Sequence, residues 1–157
     1  MKKVLIVLML IFLVGISFAE EDIYTEDMWI MCKPDSMVNV RFSPKKTSEV
    51  TGYLMLGDKV RTDLVKKNNY YHVYVDNEDG EGWVHEWYLV QFEPVIVNKT
   101  YMVVCNGRLA VRRGVNGSRK GWLKNGTEVM VYAIMDDEWA VTNYGFVMIE
   151  FMEEVAE

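Results

Sequence analysis

The sequence predicts an all-β protein built as two small β-barrels in tandem. Three observations predict it. No window holds a helical pattern of eight or more residues, whereas period-two alternation recurs in short runs separated by turn residues. The stretch Gly82-Trp83-Val84-His85-Glu86-Trp87-Tyr88-Leu89 returns 63 residues later as Gly145-Phe146-Val147-Met148-Ile149-Glu150-Phe151-Met152. Each copy closes a unit of about sixty residues, a length that suits five short strands curled into a barrel better than two packed sheets. A core that small is marginal alone, so the two units are expected to share an interface.

Residues 1–19 stand apart from this pattern. Lys2 and Lys3 precede an uncharged apolar run over residues 4–15, and Ser17-Phe18-Ala19 places small residues at −3 and −1 ahead of Glu20-Glu21-Asp22. That is the layout of a secretory signal peptide cut after Ala19, with a secreted or cell-envelope location to follow. The alternative is an uncleaved membrane anchor, but residues 4–19 fall short of the ~20 apolar residues that span a bilayer. Residues 20–27 are acidic and aperiodic and read as a loose tail.

The first barrel is expected over residues 28–92. Residues 28–32 are extended, Lys33-Pro34-Asp35-Ser36 is a turn cluster, and residues 38–41 form a second short strand. Residues 42–51, with Ser43-Pro44, read as a loop. Residues 53–56 lead through the Gly57-Asp58 turn into a strand over 59–65, where Val60, Thr62 and Leu64 face inward and Lys59, Arg61 and Asp63 outward. Asn68-Asn69 closes a hairpin, after which Tyr71, Val73 and Val75 alternate with Tyr70, His72 and Tyr74. A polar acidic loop over 76–82 follows. The repeated stretch then closes the barrel, with Val84 inward as Val147 is in the second copy.

Pro94 marks the boundary, with residues 93–98 as the linker and residues 99–154 as the second barrel. There Leu109-Ala110-Val111-Arg112 corresponds to Val38-Asn39-Val40-Arg41, and Gly121-Trp122-Leu123 to Gly52-Tyr53-Leu54. Asn125-Gly126-Thr127-Glu128-Val129 corresponds to Leu56-Gly57-Asp58-Lys59-Val60, and Trp139 and Val141 to Tyr71 and Val73. The offset shrinks only at predicted loops, where deletions are tolerated.

Half the residues are apolar and a quarter charged, a globular composition. Without Lys2 and Lys3, 15 basic residues face 23 acidic ones, a net charge of −8. That balance argues against binding nucleic acid or anionic lipid through bulk electrostatics. A membrane partner would require the leader to stay uncleaved. Cys32 and Cys105 occupy matching first strands. Such positions meet only if those strands face one another, which favours buried thiols behaving as small hydrophobes over a disulfide.

These residues resemble the bacterial SH3-like (SH3b) domain family. The likeness rests on Val38-Asn39-Val40-Arg41 followed by Ser43-Pro44, on Gly52-Tyr53-Leu54, on Gly57-Asp58-Lys59-Val60, and on Gly82-Trp83-Val84-His85 with Tyr88-Leu89. The second copy is degenerate. Ala110 stands where the family usually has asparagine, Val115 where it has proline, and Phe146 replaces the tryptophan. The resemblance implies a barrel without catalytic machinery, of a kind that targets secreted or surface proteins to the cell wall or binds peptides.

A catalytic reading would pair Cys32 with His72 or His85 as thiol and base. Activated thiols sit at electropositive helix N-termini, and no helix follows Cys32. Cys32, His72, His85 and Cys105 lack the close pairs of a structural zinc site. The Asn-Gly pairs at 106, 116 and 125 read as turns rather than phosphate loops or glycosylation sites, as does the Asn98-Lys-Thr sequon. No cofactor is implied and no enzymatic activity is expected.

The aromatic residues point to binding. Tyr53, Tyr71, Trp83, Trp87 and Tyr88 exceed the needs of so small a core, and aromatic platforms with polar neighbours hold extended peptides or glycans. Tyr71 and Tyr88 are assigned to the core. Tyr53, Trp83 and Trp87, with Asn39 and Arg41 for polar contacts, are the candidate ligand-binding residues. The expected partner is a cell-wall glycan or peptide. The alternative is a structural or regulatory role, docked on a secreted protein as an accessory or inhibitor.

Overall fold

The computed structural model describes residues 25–75 and 80–156. The signal peptide with its Ala19 cleavage point, most of the acidic tail and half of the 76–82 loop lie outside the described residues.

Among the described residues, fourteen strands form two antiparallel seven-stranded sheets. The first holds β1 (Glu26–Ile30), β2 (Val38–Arg41), β3 (Val50–Leu54), β4 (Lys59–Lys67), β5 (Tyr70–Val75), β6 (Gly80–His85) and β7 (Leu89–Val90) in the order β3-β2-β6-β5-β4-β1-β7. The second repeats that order with β8 (Val95–Val103), β9 (Arg108–Arg112), β10 (Arg119–Lys124), β11 (Glu128–Met135), β12 (Trp139–Thr142), β13 (Phe146–Met148) and β14 (Met152–Glu154). A 3-10 turn precedes the last strand of each sheet, Glu86–Tyr88 and Ile149–Phe151. The all-β duplication is therefore as the sequence predicts.

The sheets are not closed barrels. Among the described residues the edge strands β3 and β7 share no ladder, and neither do β10 and β14. Each sheet curls far enough to wrap one core. Leu54 of β3 and Leu89 of β7 join Ile30, Val40, Val60, Val73 and Val84 in a single buried cluster, and the second sheet does the same around Val103, Val111, Val131 and Val147.

The glycine that opens the repeated stretch has a steric reason. A Cβ on Gly82 would lie 2.5 Å from a Val40 methyl, and one on Gly145 would lie 2.7 Å from the Arg112 carbonyl. Only glycine lets the strand cross this close to its neighbour.

Several local expectations change. β1 starts at Glu26, inside the expected tail, because Glu26 and Asp27 already pair with Thr62 and Arg61. β3 runs over Val50–Leu54 rather than 53–56. Four of the six residues assigned to the linker belong to β8, paired with β11 around an irregularity at Asn98, whose φ is +50°. Leu64 is exposed rather than core. The β4–β5 register shifts between Thr62 and Lys66, and Leu64 occupies the bulge at φ +62°.

The correspondence of Tyr71 with Trp139 is also corrected. Tyr70 pairs with His85 and Tyr71 with Val84, while Trp139 pairs with Met148 and Ala140 with Val147. Trp139 is therefore the counterpart of Tyr70, one residue earlier, and a one-residue slip exchanges the faces of a strand.

The units do share an interface. Ala133, Met135, Trp139, Val141 and Phe146, on the outer face of the second sheet, pack with Met31 and Val90 of the first in a third apolar cluster. All four residues of β12 are buried, since one face meets its own core and the other meets the first unit.

Candidate functional site

Three depressions meet at Trp87, which lines all of them. The most spacious, about 790 Å³, lies on the outer face of the first sheet and is walled by Asn39, Arg41, Tyr70, His85, Trp87 and Tyr88. Trp87 is fixed by its 3-10 turn. Its N–H donates to His85 Nδ1 at 3.3 Å, the Glu86 N–H donates to the Asn69 carbonyl at 2.9 Å, and the Leu89 N–H closes on the Glu86 carbonyl. Its ring lies 4.5 Å from His85, which stands edge-on to Tyr70 at 4.9 Å. Burial lowers the His85 pKa, against the opposing pull of Glu86. The neutral ring accepts at Nδ1 and carries its N–H at Nε2.

The opposite wall is the loop after β2. Phe42 N–H donates to the Glu49 carbonyl at 3.0 Å and Ser43 N–H to Ser48 Oγ at 2.9 Å. Arg41 Nη1 holds the Ser48 carbonyl at 2.8 Å, and Asn68 Nδ2 reaches from the β4–β5 hairpin to the Pro44 carbonyl at 3.2 Å. The groove is therefore formed before any ligand arrives, which lowers the ordering cost of binding.

Of the five candidate residues, Asn39, Arg41 and Trp87 come together here. Trp83 and Tyr53 stand elsewhere. Trp83 pairs with Arg41 across the β2–β6 ladder and lies 5.1 Å from His72. His72 Nδ1 meets Asp63 Oδ2 at 2.9 Å, and Tyr74 donates to the same oxygen at 3.3 Å. Burial works to raise the Asp63 pKa. The hydrogen bonds from His72, Val65 N–H and Tyr74, with the His72 charge, outweigh it and leave the carboxyl below its usual range. Tyr53, well exposed on edge strand β3, lines a separate hollow of about 720 Å³ with Val40, Lys59 and Glu81.

Residues 36–90, spanning β2 to β7, match the bacterial SH3 domain family. The first unit is a bacterial SH3 domain. No curated protein matches the chain. Among solved structures, NlpC2 from Trichomonas vaginalis is similar over 83% of this chain and 48% of its own, at 12% identity and a TM-score of 0.37. NlpC1 from the same organism is similar over 83% and 46%, also at 12% identity and 0.37. The chain thus spans about half the length of these solved proteins.

The second unit does not repeat the SH3 groove. The counterparts of Trp83 and Tyr70 are Phe146 and Trp139, both buried against the first unit, and the counterpart of Trp87 is Glu150. The face left open in the SH3 domain is the face that docks in its twin. Phe146 and Trp139 in the second copy therefore serve the interface between the units.

Sequence reasoning missed Tyr70, His85, Lys45, Lys46 and Arg113 as groove residues. Tyr70 and His85 were legible as outward positions of β5 and β6. Arg113 belongs to the other unit, and nothing in its local sequence signals the docking. Tyr71 and Tyr88 pack on the core as assigned, although each also forms part of a groove wall.

Both cysteines are free thiols. Burial, reinforced by the Asp58 charge, pushes the Cys32 thiol up to about 11. It stays protonated at neutral pH, and its sulfur faces the Ser36 carbonyl at 3.5 Å.

Proposed function

We propose that this chain is a secreted, non-enzymatic binding protein whose SH3 domain holds a peptide of cell-wall peptidoglycan against Trp87. Bacterial SH3 domains generally bind cell-wall peptidoglycan. The observation that carries the reading is the preformed groove, in which aromatic rings and the donors of Asn39, Arg41 and His85 converge. Rings supply flat apolar contact at low entropic cost, and the donors suit the carbonyls of an extended chain. The leader-like layout of residues 1–19 supports secretion, and the protonated Cys32 supports a binding rather than a hydrolytic role. The second unit buttresses the first through its buried face.

The test is sedimentation of the mature protein with purified peptidoglycan at moderate salt. Retention in the pellet, reduced by Trp87→Ala, is expected. Full recovery in the supernatant would overturn the wall reading.

A further inference from the structure

The groove beside Trp87 is basic in an acidic protein. Arg41, Lys45, Lys46 and Arg113 line it, and no carboxylate does, although the chain carries a net charge of −6. Three lysines elsewhere are ion-paired, Lys59 with Asp27 and Lys99 with Glu154, each at 2.6 Å, and Lys66 with Glu86. Among the described residues none of the four groove cations is paired with a carboxylate. Arg41 directs one N–H to the Ser48 carbonyl and keeps the rest of its guanidinium available.

The fourth cation comes from the second unit. Arg113 rides on the loop between β9 and β10, closed by its own N–H on the Ser118 carbonyl at 3.0 Å. The adjacent Gly114 sits so close to the Trp87 backbone that a Cβ would lie 2.3 Å from the Trp87 carbonyl oxygen. Docking of the two units therefore sets where Arg113 stands.

Across Trp87 the charge reverses. The neighbouring depression, about 460 Å³, is lined by Asp136 and Glu138, and by Glu86, whose charge Lys66 offsets from outside the lining. A long polyanion leaving the basic groove on this side would run onto these carboxylates, whereas a single carboxylate would not. The pair of grooves thus favours a localised negative charge over an anionic polymer.

We propose that the groove selects a peptide bearing a free carboxylate, and that Arg113, supplied by the second unit, determines that specificity. A guanidinium offers a carboxylate two parallel donors, which a neutral amide cannot use in the same way. The inference rests on the peptide-binding reading above and adds the chemical class of its ligand. It also gives the second unit a role in recognition.

The probe is acetyl-Lys-D-Ala-D-Ala with a free C-terminus, titrated into the full mature protein alongside the same peptide as its C-terminal amide. Tryptophan fluorescence and calorimetry report binding. The acid is expected to bind about tenfold or more tightly than the amide, the ordinary worth of a charge-assisted hydrogen bond. Arg113→Gln should remove most of that preference while leaving thermal unfolding unchanged, since the side chain is exposed. Equal affinities for acid and amide, no binding of the acid, or an undiminished preference in Arg113→Gln would each overturn the proposal. Retention by whole peptidoglycan without acid preference would sink this inference and leave the wall reading standing. Acid preference without retention would do the reverse.

Discussion

Thr62 and Thr142 occupy opposite members of the same cross-strand pair in the two units. Thr62 on β4 faces Val73 on β5, whereas Val131 on β11 faces Thr142 on β12. Each unit has one threonine and one valine there, all four fully buried. Similar shapes keep the core volume constant while the hydroxyl changes strands. Each hydroxyl then does local work. Thr62 Oγ1 donates to the His72 carbonyl at 2.7 Å and accepts the Leu64 N–H at 3.0 Å, fastening the bulge. Thr142 Oγ1 donates to the Gly145 carbonyl at 2.9 Å and accepts the N–H groups of Tyr144 and Gly145.

These roles predict unequal costs for removing the hydroxyl. Thr142→Val strands groups of the buried Gly145 and is expected to cost about 2 kcal/mol. Thr62→Val loses two part-buried bonds, to the His72 carbonyl and from the Leu64 N–H, rather than bonds within a fully buried turn, and is expected to cost about 1 kcal/mol. Urea unfolding of the two variants measures the difference. Equal losses would show that the Thr142 bonds are replaced by solvent.

The same comparison shows how far the sequence is readable. Period-two alternation and the repeated glycine stretch suffice for the strand inventory and the duplication. They mislead at Tyr71 and Trp139, where matching aromatic to aromatic overrode an offset of 69 already set by Gly52 and Gly121. Leu64 misleads because a bulge interrupts alternation without changing composition. At the site, Asn39, Arg41 and Trp87 are readable from one unit alone. Lys45 and Lys46 lie in an aperiodic loop, and Arg113 reaches the groove only through docking, which no local pattern encodes.

The interface should be cooperative with the folds it joins. Trp139→Ala removes the largest side chain of the shared cluster and is expected to cost about 3–5 kcal/mol. Because that ring belongs to the cluster joining both units, calorimetry should show one transition in the parent protein and a lower, broadened or split one in the variant. An unchanged single transition would mean that the units are not held through this cluster.

Thiol reactivity should separate the two cysteines. With the Cys32 pKa at about 11, only a small fraction is thiolate at pH 8, and the side chain is buried. Cys105 is half-buried. Iodoacetamide treatment of the folded protein should label Cys105 first and Cys32 only on unfolding, as read by peptide mass spectrometry. Equal labelling rates would contradict the packing around Cys32.

Acid stability should depend on Asp63. Its folded pKa is depressed, so the stabilisation is complete above the ordinary aspartate value of about 3.9 and is lost as pH falls through the lower folded value. Asp63→Asn should be less stable than the parent at pH 6, and the gap should close towards pH 2–3. A pH series of thermal melts reads this, and a constant gap down to pH 2 would assign the loss to packing instead.

Gly114 is the position where stability and binding should fall together. Its Cα faces the Trp87 backbone, and an added methyl would sit 2.3 Å from both the Trp87 Cβ and its carbonyl oxygen. Backbone cannot yield as a side-chain tip can, so Gly114→Ala must push the β9–β10 loop away from the SH3 domain. Overpacking of this kind costs about 1–3 kcal/mol. The displaced loop takes Arg113 with it, so affinity for a carboxylate peptide should drop although no ligand-contacting side chain has been changed. Gly121→Ala is the control, since a Cβ there meets nothing within 4 Å. Gly114→Ala weakening the acid peptide while Gly121→Ala does not would locate the effect at the docked loop. Parent-like affinity in Gly114→Ala would show that the groove forms without the second unit.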